Sequence, residues 1–586
     1  MRLRRLTIEN FRRIADADIL LEPSTFLIGP NNTGKSSVIA AIEALLSLES
    51  EKLTQADIFE QPDGNRADRT IITGHVCDIP ADIAASRGFK GRVIDGEFVY
   101  RKSLSVTSSK PDIETREFPF TVKPEFGACK TIADLAAAGV AAEMIKDGFG
   151  DAAPETKLKK GWERGVADVL DFDTTAEPTW IKNPGGIPQN VLSRLPRLIY
   201  VPAITDSRDI ESGEKRHILG ECLSLLFEDL IQDNPVAKTI QDKLTDLEKQ
   251  MNPEDENSLV FGLLRDVNAI VADVFPNCGI SIVPSLQELL DVLKPKYEIN
   301  IFSNIRTGAV RQGTGLVRTC VFAMLRHHAR MKIAKELLTR PVIVAFEEPE
   351  LYLHPSAANM LRDTIYELGQ SDQIVCSTHS PWMIDLSRDP QSLSRMYLTA
   401  ENNASVYNYG VSSTLGALPE EDKQRVKMLQ VFDDELSRVF FADRVVIVEG
   451  DSEILAIRKT LMLLPPETRK LVTARTQLAK ARGKASIISL VKYLRELGMS
   501  PRVMHDGDFG TEGAEKFNQP IADALESPAH VVVLDKNLEE ALGYAPPSTD
   551  KPFTAYEYVR NWSVAADVPQ PWRDALCSLF DIEWPD

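Results

Sequence analysis

The segment Gly29–Ser36 constrains the fold of this chain more than any other part of the sequence. It reads Gly-Pro-Asn-Asn-Thr-Gly-Lys-Ser and fits the pattern G-x-x-x-x-G-K-[ST]. The apolar, strand-like run STFLIG precedes it, and SSVIAAIEALLSL, with helical apolar spacing, follows it. A glycine-rich turn at the start of a helix presents free backbone N–H groups to phosphate. The segment therefore predicts a nucleotide-phosphate loop in an α/β domain.

We expect this loop to bind ATP together with Mg²⁺. Lys35 would supply positive charge at the β- and γ-phosphates, and the Ser36 hydroxyl would bind the metal ion. A glycine-rich turn that fits the pattern by chance is the alternative, and the flanking elements disfavour it. The residues expected to contact the nucleotide here are Asn31, Asn32, Thr33, Gly34, Lys35, Ser36 and Ser37.

A second acidic motif follows a predicted buried strand at Pro341–Phe346. The strand runs into Glu347-Glu348-Pro349-Glu350. Adjacent carboxylates at the end of a strand suit the metal-binding and water-polarising half of a nucleotide site. We assign Glu347 to the metal ion and Glu348 to the attacking water, whereas a solvated acidic turn is the alternative. Aspartate is commoner at the first place, so Glu347 is a departure from the usual pattern.

The order of motifs resembles that of ABC-type ATPase heads. In those heads a glycine-rich signature at a helix N-terminus binds the γ-phosphate held by the opposite head, and Gly313 and Gly315 occupy the matching position in a degenerate form. His379, in Cys-Ser-Thr-His-Ser-Pro after a strand, matches the histidine that senses the γ-phosphate. Gln55 and Gln61 are alternatives for a glutamine that contacts the nucleotide site.

A second group of acidic residues follows a new α/β pattern that begins with the apolar strand Arg444–Val448. The strand leads into Glu-Gly-Asp-Ser-Glu, a later strand ends in His-Asp-Gly-Asp, and a third leads into Leu-Glu-Glu-Ala. In a doubly wound sheet these strand ends lie along one edge. Clustered carboxylates repel one another unless a cation neutralises them, and oxygen ligands suit Mg²⁺ or Mn²⁺. The expected ligands are Glu449, Glu453, Asp506, Asp508 and Glu539.

The acidic pattern resembles the Toprim half of OLD (overcoming lysogenization defect) nucleases. The resemblance implies that Glu449, Asp506 and Asp508 are catalytic and that a lysine stabilises transition-state charge. Lys551 is our candidate for that lysine, Lys484 is a candidate phosphate contact, and Glu540 is the near rival of Glu539. Ca²⁺ could bind there without supporting activity.

The fold that these patterns predict is α/β and multidomain: an ABC-type ATPase head with a helical dimerisation arm, followed by a Toprim domain. Predicted boundaries are 1–205 for the first part of the head with an insertion, 206–290 for the arm, 291–435 for the rest of the head and 436–586 for Toprim. The large insertions between Lys35 and Glu347 resemble those of OLD, RecF and SMC-like heads rather than those of transporters.

Composition limits the cellular setting of the chain. Its 586 residues are 43% hydrophobic and 26% charged, and no run of about 18 apolar residues predicts a membrane span. The N-terminus lacks a secretory apolar segment and the seven cysteines include no C-x-x-C, so we expect a cytoplasmic protein. A net charge of −19 means that any DNA-binding face must be locally basic.

The predicted function is an ATP-controlled, metal-dependent DNA endonuclease, with double-stranded DNA as the expected substrate. The alternatives are a non-catalytic, ATP-gated DNA clamp and an RNA-cleaving Toprim nuclease. A topoisomerase would need a tyrosine nucleophile domain, and a primase would need a zinc module; neither pattern is found. The resemblance also implies a homodimer or larger oligomer such as a tetramer, a role in anti-phage defence, and a possible helicase-like (Gabija-type) or retron partner.

Overall fold

The computed structural model describes the two ends of the chain in most detail. The residues described are 1–47, 52–61, 64–84, 86, 88–89, 92–149, 152–159, 162–166, 169–173, 175–183, 189–203, 222, 226, 235–236, 239–240, 242–243, 258, 261, 265, 300–302, 306–308, 314–335, 341–351, 353–388, 391–399, 402–432, 436–511 and 513–585. Most of the predicted helical arm at 206–290 lies outside the described residues, as does the segment 309–313 with Gly313.

The described strands are, in chain order, β1 (Arg2–Phe11), β2 (Ile14–Leu20), β3 (Ser24–Ile28), β4 (Arg69–Cys77), β5 (Val93–Ile94), β6 (Glu97–Ser105), β7 (Asp112–Glu117), β8 (Phe120–Val122), β9 (Leu170–Phe172), β10 (Thr179–Lys182), β11 (Arg197–Val201), β12 (Asn300–Phe302), β13 (Arg306–Gly308), β14 (Val342–Glu347), β15 (Gln373–Ser377), β16 (Gln391–Leu398), β17 (Ala404–Tyr409), β18 (Arg444–Val448), β19 (Thr476–Lys480), β20 (Arg502–Asp506) and β21 (Val531–Leu534).

The described α-helices are α1 (Lys35–Leu46), α2 (Ala81–Ala84), α3 (Ile132–Ala137), α4 (Ala142–Phe149), α5 (Gln189–Leu192), α6 (Thr314–Lys335), α7 (Pro355–Leu368), α8 (Val411–Ala417), α9 (Glu420–Phe432), α10 (Asp451–Leu463), α11 (Pro466–Thr473), α12 (Lys484–Glu496), α13 (Asn518–Ala524), α14 (Leu538–Leu542), α15 (Lys551–Val559) and α16 (Gln570–Phe580). No helix among the described residues is long and apolar enough to cross a membrane.

The larger sheet has 13 strands and brings distant parts of the chain together. Its order is β10-β7-β6-β4-β1-β2-β17-β16-β3-β15-β14-β11, with β5 paired to β6. Strand β15 pairs in parallel with both β3 and β14, so the turns that follow β3 and β14 lie at the same edge. All residues of β3 and β15 are buried, including the polar Ser24, Thr25, Gln373 and Ser377, as is usual for parallel strands inside a sheet that is covered on both faces.

The smaller sheet contains four parallel strands in the order β19-β18-β20-β21. Its hydrophobic core includes Val446, Ile457, Trp572 and Phe580, so the helices after β18 and at the C-terminal end cover the sheet. The sequence pattern predicted β18, β20 and β21, and the structure adds β19. These two sheets confirm the prediction of an α/β multidomain fold.

The segment 402–432 carries regular structure. It contains β17, which pairs with β16 in the larger sheet, followed by α8 and α9. Buried serines hide the strand pattern of β16: Ser392 and Ser394 are 3% and 0% exposed. The Ser394 hydroxyl donates to the Asn408 side-chain oxygen at 2.8 Å, so burial of this polar group is compensated.

A direct contact joins β17 to the end of α12. The Tyr407 hydroxyl donates to the backbone oxygen of Leu497 at 3.0 Å. Gly498 closes the helix with a φ of 79°, and the Met499 N–H donates back to the Leu494 oxygen at 2.9 Å. This Tyr407–Gly498 junction therefore attaches the larger sheet to the domain built on the smaller one.

The described chain divides into two compact units. One contains residues 1–200 and 340–586, and the other contains residues 201–339. Both sheets with more than two strands belong to the first unit, apart from the last residue of β11. The four-part division of the chain made from sequence stays a prediction.

Candidate functional site

Two glycines shape the loop between β3 and α1. Gly29 and Gly34 have φ angles of 136° and 101°, in a backbone region that residues with a Cβ rarely adopt. A Cβ on Gly29 would lie 2.2 Å from the backbone oxygen of Met396. Because α1 begins at Lys35, its unpaired N–H groups lie at the loop, as phosphate binding requires.

Lys35 is buried within the loop and close to the acidic turn. Its Nζ donates to the backbone oxygens of Gly29 at 3.0 Å and Pro30 at 2.8 Å. Burial lowers the pKa of Lys35, while the charges of Glu348 and Glu347 oppose that shift. Of the other predicted contacts, Thr33 and Gly34 are buried, Ser37 is half-buried, and Asn31, Asn32 and Ser36 are exposed.

Each oxygen of the Glu347 carboxylate accepts a hydrogen bond from a hydroxyl group. Ser36 Oγ donates to Oε1, and the Tyr200 hydroxyl donates to Oε2. Burial, followed by the hydrogen bond to Glu347, raises the pKa of Tyr200, so the phenol stays a donor at neutral pH. Tyr200 was not predicted from the sequence, where it is one phenol in the short strand-like run RLIYV of β11.

Glu348 and His379 lie side by side at this edge of the sheet. Glu348 Oε1 is 3.3 Å from His379 Nε2, and the Glu348 N–H donates to the Ser377 oxygen at 2.9 Å. Glu348 has a φ of 42°, an unfavourable conformation for a residue with a Cβ and one that often marks functional sites. Burial and the Lys35 charge lower the pKa of His379, against the effect of Glu348.

Glu350 links the acidic turn to the histidine loop. Its Oε1 accepts the Thr378 hydroxyl at 2.5 Å and the His379 N–H at 3.3 Å. Burial raises the pKa of Glu350, and within the described residues its Oε2 has no hydrogen-bond partner. The sequence pattern gave Glu350 no role of its own, because its contacts come from the loop after β15, 28 and 29 residues further along the chain.

The structure gives less support to the remaining residues predicted for the nucleotide site. Gly315 lies in the first turn of α6, whereas Gly313 is outside the described residues. The Gln55 side chain donates to the backbone oxygens of Ser105 and Ser108, at 2.8 and 2.5 Å. The Gln61 backbone N–H donates to the Asn65 backbone oxygen at 2.8 Å. The glutamine assignment therefore stays open.

In the smaller sheet, Glu449, Glu453 and Asp506 converge at the ends of β18 and β20. Glu449 Oε1 accepts the Asp506 N–H at 3.0 Å, which fixes the carboxylate beside β20. Glu453 lies in the first turn of α10, where its Oε2 accepts the Gly450 N–H at 3.1 Å. Backbone N–H groups thus orient two of the predicted ligands.

The loop that carries Asp508 is held from both sides. The Asp508 N–H donates to the Lys536 oxygen at 2.8 Å, after β21, and Asp508 has a φ of 51°. Its Oδ2 lies 2.7 Å from Lys484 Nζ, which also donates to Asn518 Oδ1 at 2.9 Å. Because the Lys484 side chain is 5% exposed, these contacts position Asp508; the predicted phosphate contact stays a prediction.

Glu539 and Lys551 form the far side of the same cluster. Lys551 Nζ lies 3.3 Å from Glu539 Oε1, and the Glu539 side chain is 3% exposed while that of Lys551 is 57% exposed. The neighbouring Glu540 instead pairs with Lys536 at 2.6 Å on the exposed surface. The structure thus gathers Glu539 rather than Glu540 with the other buried carboxylates.

The buried carboxylates disfavour one another's charge. Burial raises the pKa of Asp506 to about 8, and the charges of Glu449 and Glu453 add to this effect. Burial, with a contribution from Glu449, raises the pKa of Glu453 to about 7. The pKa of Glu449 is also raised, again by burial first. Such a cluster is electrostatically costly without a cation.

The donor set of this cluster fits a divalent metal ion. Asp506 Oδ1 and Glu539 Oε2 are buried and have no hydrogen-bond partner among the described residues, so both oxygens are available as ligands. In the described part of the chain, no group of three or more His, Cys, Asp or Glu side chains is already arranged so that it could hold a metal ion. Metal binding at this cluster therefore stays a prediction.

Two family models match this chain. The AAA ATPase domain matches residues 1–384, which include the phosphate loop, the acidic turn and His379. The TOPRIM domain of overcoming lysogenization defect protein-like proteins matches residues 440–508, which include Glu449, Glu453, Asp506 and Asp508.

Curated relatives match over most of the chain. The OLD nuclease of Thermus scotoductus is 24% identical, over 98% of this chain and 97% of its own length. The Old nuclease of Escherichia phage P2 is 23% identical, over 87% of this chain and 78% of its own length. Endonuclease GajA of Bacillus cereus is 20% identical, over 80% of this chain and 69% of its own length.

The phosphate loop, the acidic turn and His379 lie in the segment that resembles an ATPase, and four residues of the carboxylate cluster lie in the segment that resembles a TOPRIM domain. The predicted Glu539 and Lys551 lie beyond the segment that the TOPRIM model matches. The chain therefore belongs to the AAA ATPase domain family and is an ATPase and nuclease of the OLD type, with a TOPRIM domain after the ATPase.

Proposed function

We propose that this chain is an endonuclease that cleaves DNA, requires a divalent metal ion, and is controlled by ATP at its N-terminal domain. The observation that supports this most strongly is the convergence of buried carboxylates with unpaired oxygens at the carboxyl edge of the smaller sheet. Relatives named nucleases, including an endonuclease, support the same reaction class.

The nucleotide-site residues would divide the ATPase chemistry among them. Lys35 would neutralise the β- and γ-phosphates, and Ser36 with Glu347 would hold Mg²⁺. Glu348 would orient and polarise the attacking water. His379, beside Glu348, would respond to the γ-phosphate. Gly313 and Gly315 would contact a nucleotide held by a second copy of the chain, which is why we propose a homodimer or larger assembly.

The carboxylate cluster would hold one or two Mg²⁺ or Mn²⁺ ions through Glu449, Glu453, Asp506, Asp508 and Glu539. When bound, these ions supply an activated water and stabilise the leaving oxygen. Lys551 is solvent-accessible yet contacts Glu539, so its ammonium group could reach both the cluster and a phosphate. We propose that Lys551 stabilises the charge that develops during cleavage.

Nicking of supercoiled plasmid tests the proposal directly. Wild type, Asp506→Ala and Lys35→Ala are compared in Mg²⁺, Mn²⁺ or Ca²⁺, with and without ATP, while ATP turnover is followed in parallel. We expect Asp506→Ala to lose nicking but retain ATP turnover, and Lys35→Ala to lose ATP turnover. Nicking by Asp506→Ala at the wild-type rate would overturn the nuclease assignment of this cluster, whereas absence of nicking by wild type would favour the non-catalytic, ATP-gated clamp.

A matched pair of variants tests the fifth ligand. Glu539→Ala should lose cleavage because it removes a buried carboxylate of the cluster, whereas Glu540→Ala removes an exposed one paired with Lys536. Single-stranded and linear DNA and a structured RNA serve as alternative substrates. Preferential cleavage of the RNA would replace DNA as the proposed substrate. We also propose an anti-phage role, on the basis of the similarity to GajA, with a helicase-like or retron partner left open.

A further inference from the structure

Tyr200 lies in the predicted nucleotide site, although none of the sequence motifs described above includes it. It lies near the end of β11, the edge strand next to β14, and its hydroxyl donates to Glu347 Oε2. We propose that Tyr200 is a positioning residue that holds Glu347 in the orientation needed for Mg²⁺–nucleotide binding. This inference rests on the proposed role of Glu347 at the nucleotide site.

The two hydroxyls on Glu347 would have different consequences for a metal ion. Ser36 donates its proton to Oε1, so the lone pairs of Ser36 Oγ remain available for a cation. Tyr200 donates to Oε2 and has no expected ligand role itself. The phenol therefore restricts rotation of the carboxylate while leaving the serine oxygen in place.

The glutamate at this position increases the need for such a partner. Glutamate has one more rotatable side-chain bond than the aspartate commonly found there, so fixing its carboxylate costs more conformational entropy. Tyrosine has only two side-chain torsions, and Tyr200 is half-buried in a strand, so its hydroxyl is well placed to bear that constraint. Hydrogen-bond partners of metal ligands commonly change metal affinity in this way.

The test measures binding rather than turnover. Binding of a fluorescent ATP analogue to the full-length chain is titrated with Mg²⁺ for wild type and Tyr200→Phe. We expect the half-saturating Mg²⁺ concentration to rise about tenfold. Binding of the analogue in EDTA should change less than about twofold, because Lys35 and the loop N–H groups are untouched. An unchanged Mg²⁺ requirement would overturn the proposal.

Tyr366→Phe is the matched control. Its hydroxyl is also engaged in the same sheet domain, with Gln391 Oε1 at 2.8 Å, but it touches none of the nucleotide-site residues named above. Loss of that hydroxyl should leave the Mg²⁺ requirement unchanged. A similar shift in both variants would show a general loss of structure and would overturn a specific role for Tyr200.

A second background separates positioning from packing. In Glu347→Gln the neutral side chain no longer supplies the metal-binding carboxylate, so adding Tyr200→Phe should cause no further change in the Mg²⁺ requirement. An equal shift in both backgrounds would mean that Tyr200 acts independently of Glu347. Retained nucleotide binding in Lys35→Ala would instead refute the phosphate-loop assignment itself, so the two failures are distinguishable.

Discussion

Replacing Gly498 by alanine tests how the larger sheet holds the C-terminal domain. A Cβ at this position would lie 1.8 Å from the Tyr407 hydroxyl oxygen and 3.0 Å from the ring carbon that carries it. Alanine must also adopt the left-handed φ of 79° that closes α12. The variant thus meets two separate penalties, one within the backbone and one at the Tyr407–Gly498 junction.

The magnitudes of the two penalties can be estimated separately. Left-handed backbone costs a residue with a Cβ about 1–2 kcal/mol. Tyr407 is 41% exposed, so its ring can move aside at the cost of the hydrogen bond to Leu497, about 1 kcal/mol. We therefore expect Gly498→Ala to lower the free energy of local opening by about 2–3 kcal/mol.

Hydrogen exchange at the Met499 amide reports this opening, because that N–H closes the helix end. A loss of about 2–3 kcal/mol corresponds to roughly 30- to 150-fold faster exchange. In a Tyr407→Phe background the hydroxyl contact is already absent, so the alanine should cost about 1 kcal/mol less. Equal effects of Gly498→Ala in both backgrounds would refute the proposed clash between the alanine and Tyr407.

Three further predictions concern the two sites and a buried lysine. Glu348→Gln should bind ATP normally but hydrolyse it about 10²- to 10³-fold more slowly, since only the water-polarising carboxylate is lost; wild-type turnover would move this role to another residue. Asp506→Ala should unfold thermally at or above the wild-type temperature without metal and gain less stability from added Mn²⁺, because the variant removes both like-charge repulsion and a ligand; equal Mn²⁺ stabilisation would contradict this. Burial lowers the pKa of Lys102 from its ordinary value of 10.5 to about 8. Burying the charged ammonium group therefore destabilises the folded protein fully below about pH 8, and this destabilisation disappears as the pH rises towards 10.5. Wild type should accordingly gain about 2 kcal/mol relative to Lys102→Met between about pH 7 and about pH 9.5 in denaturant unfolding, and parallel pH profiles would show that Lys102 is not the cause.

The sequence predicted those parts of the sites that depend on local chemistry. The phosphate loop needs a strand, two glycines and a helix within a short segment, and the acidic turn directly follows its own strand. The carboxylate cluster was also predictable, because parallel strands place their carboxyl ends at one edge of a sheet. The family models match both segments, although the role of each residue stays a prediction.

Other features depend on partners that are distant in sequence. Tyr200 is recognisable only once β11 lies next to β14, and Glu350 only once the loop after β15 supplies Thr378 and His379. β16 was not predicted, because buried serines interrupt its apolar pattern. Their hydroxyl groups can be buried because they form hydrogen bonds with neighbouring strands of the sheet. Ser392 Oγ, for example, lies 3.1 Å from Thr25 Oγ1 on β3.

The strand order of the larger sheet has a consequence for biosynthesis. β3 pairs with β15 and β16, which lie far downstream in the chain, and therefore lacks both neighbours until those strands emerge. About 350 residues must be added in between, which takes roughly 20–70 s at ordinary rates of translation. During that interval β3, which is entirely buried in the folded protein, awaits its partners on the ribosome, so we expect nascent chains of this protein to depend on chaperones that bind exposed hydrophobic segments.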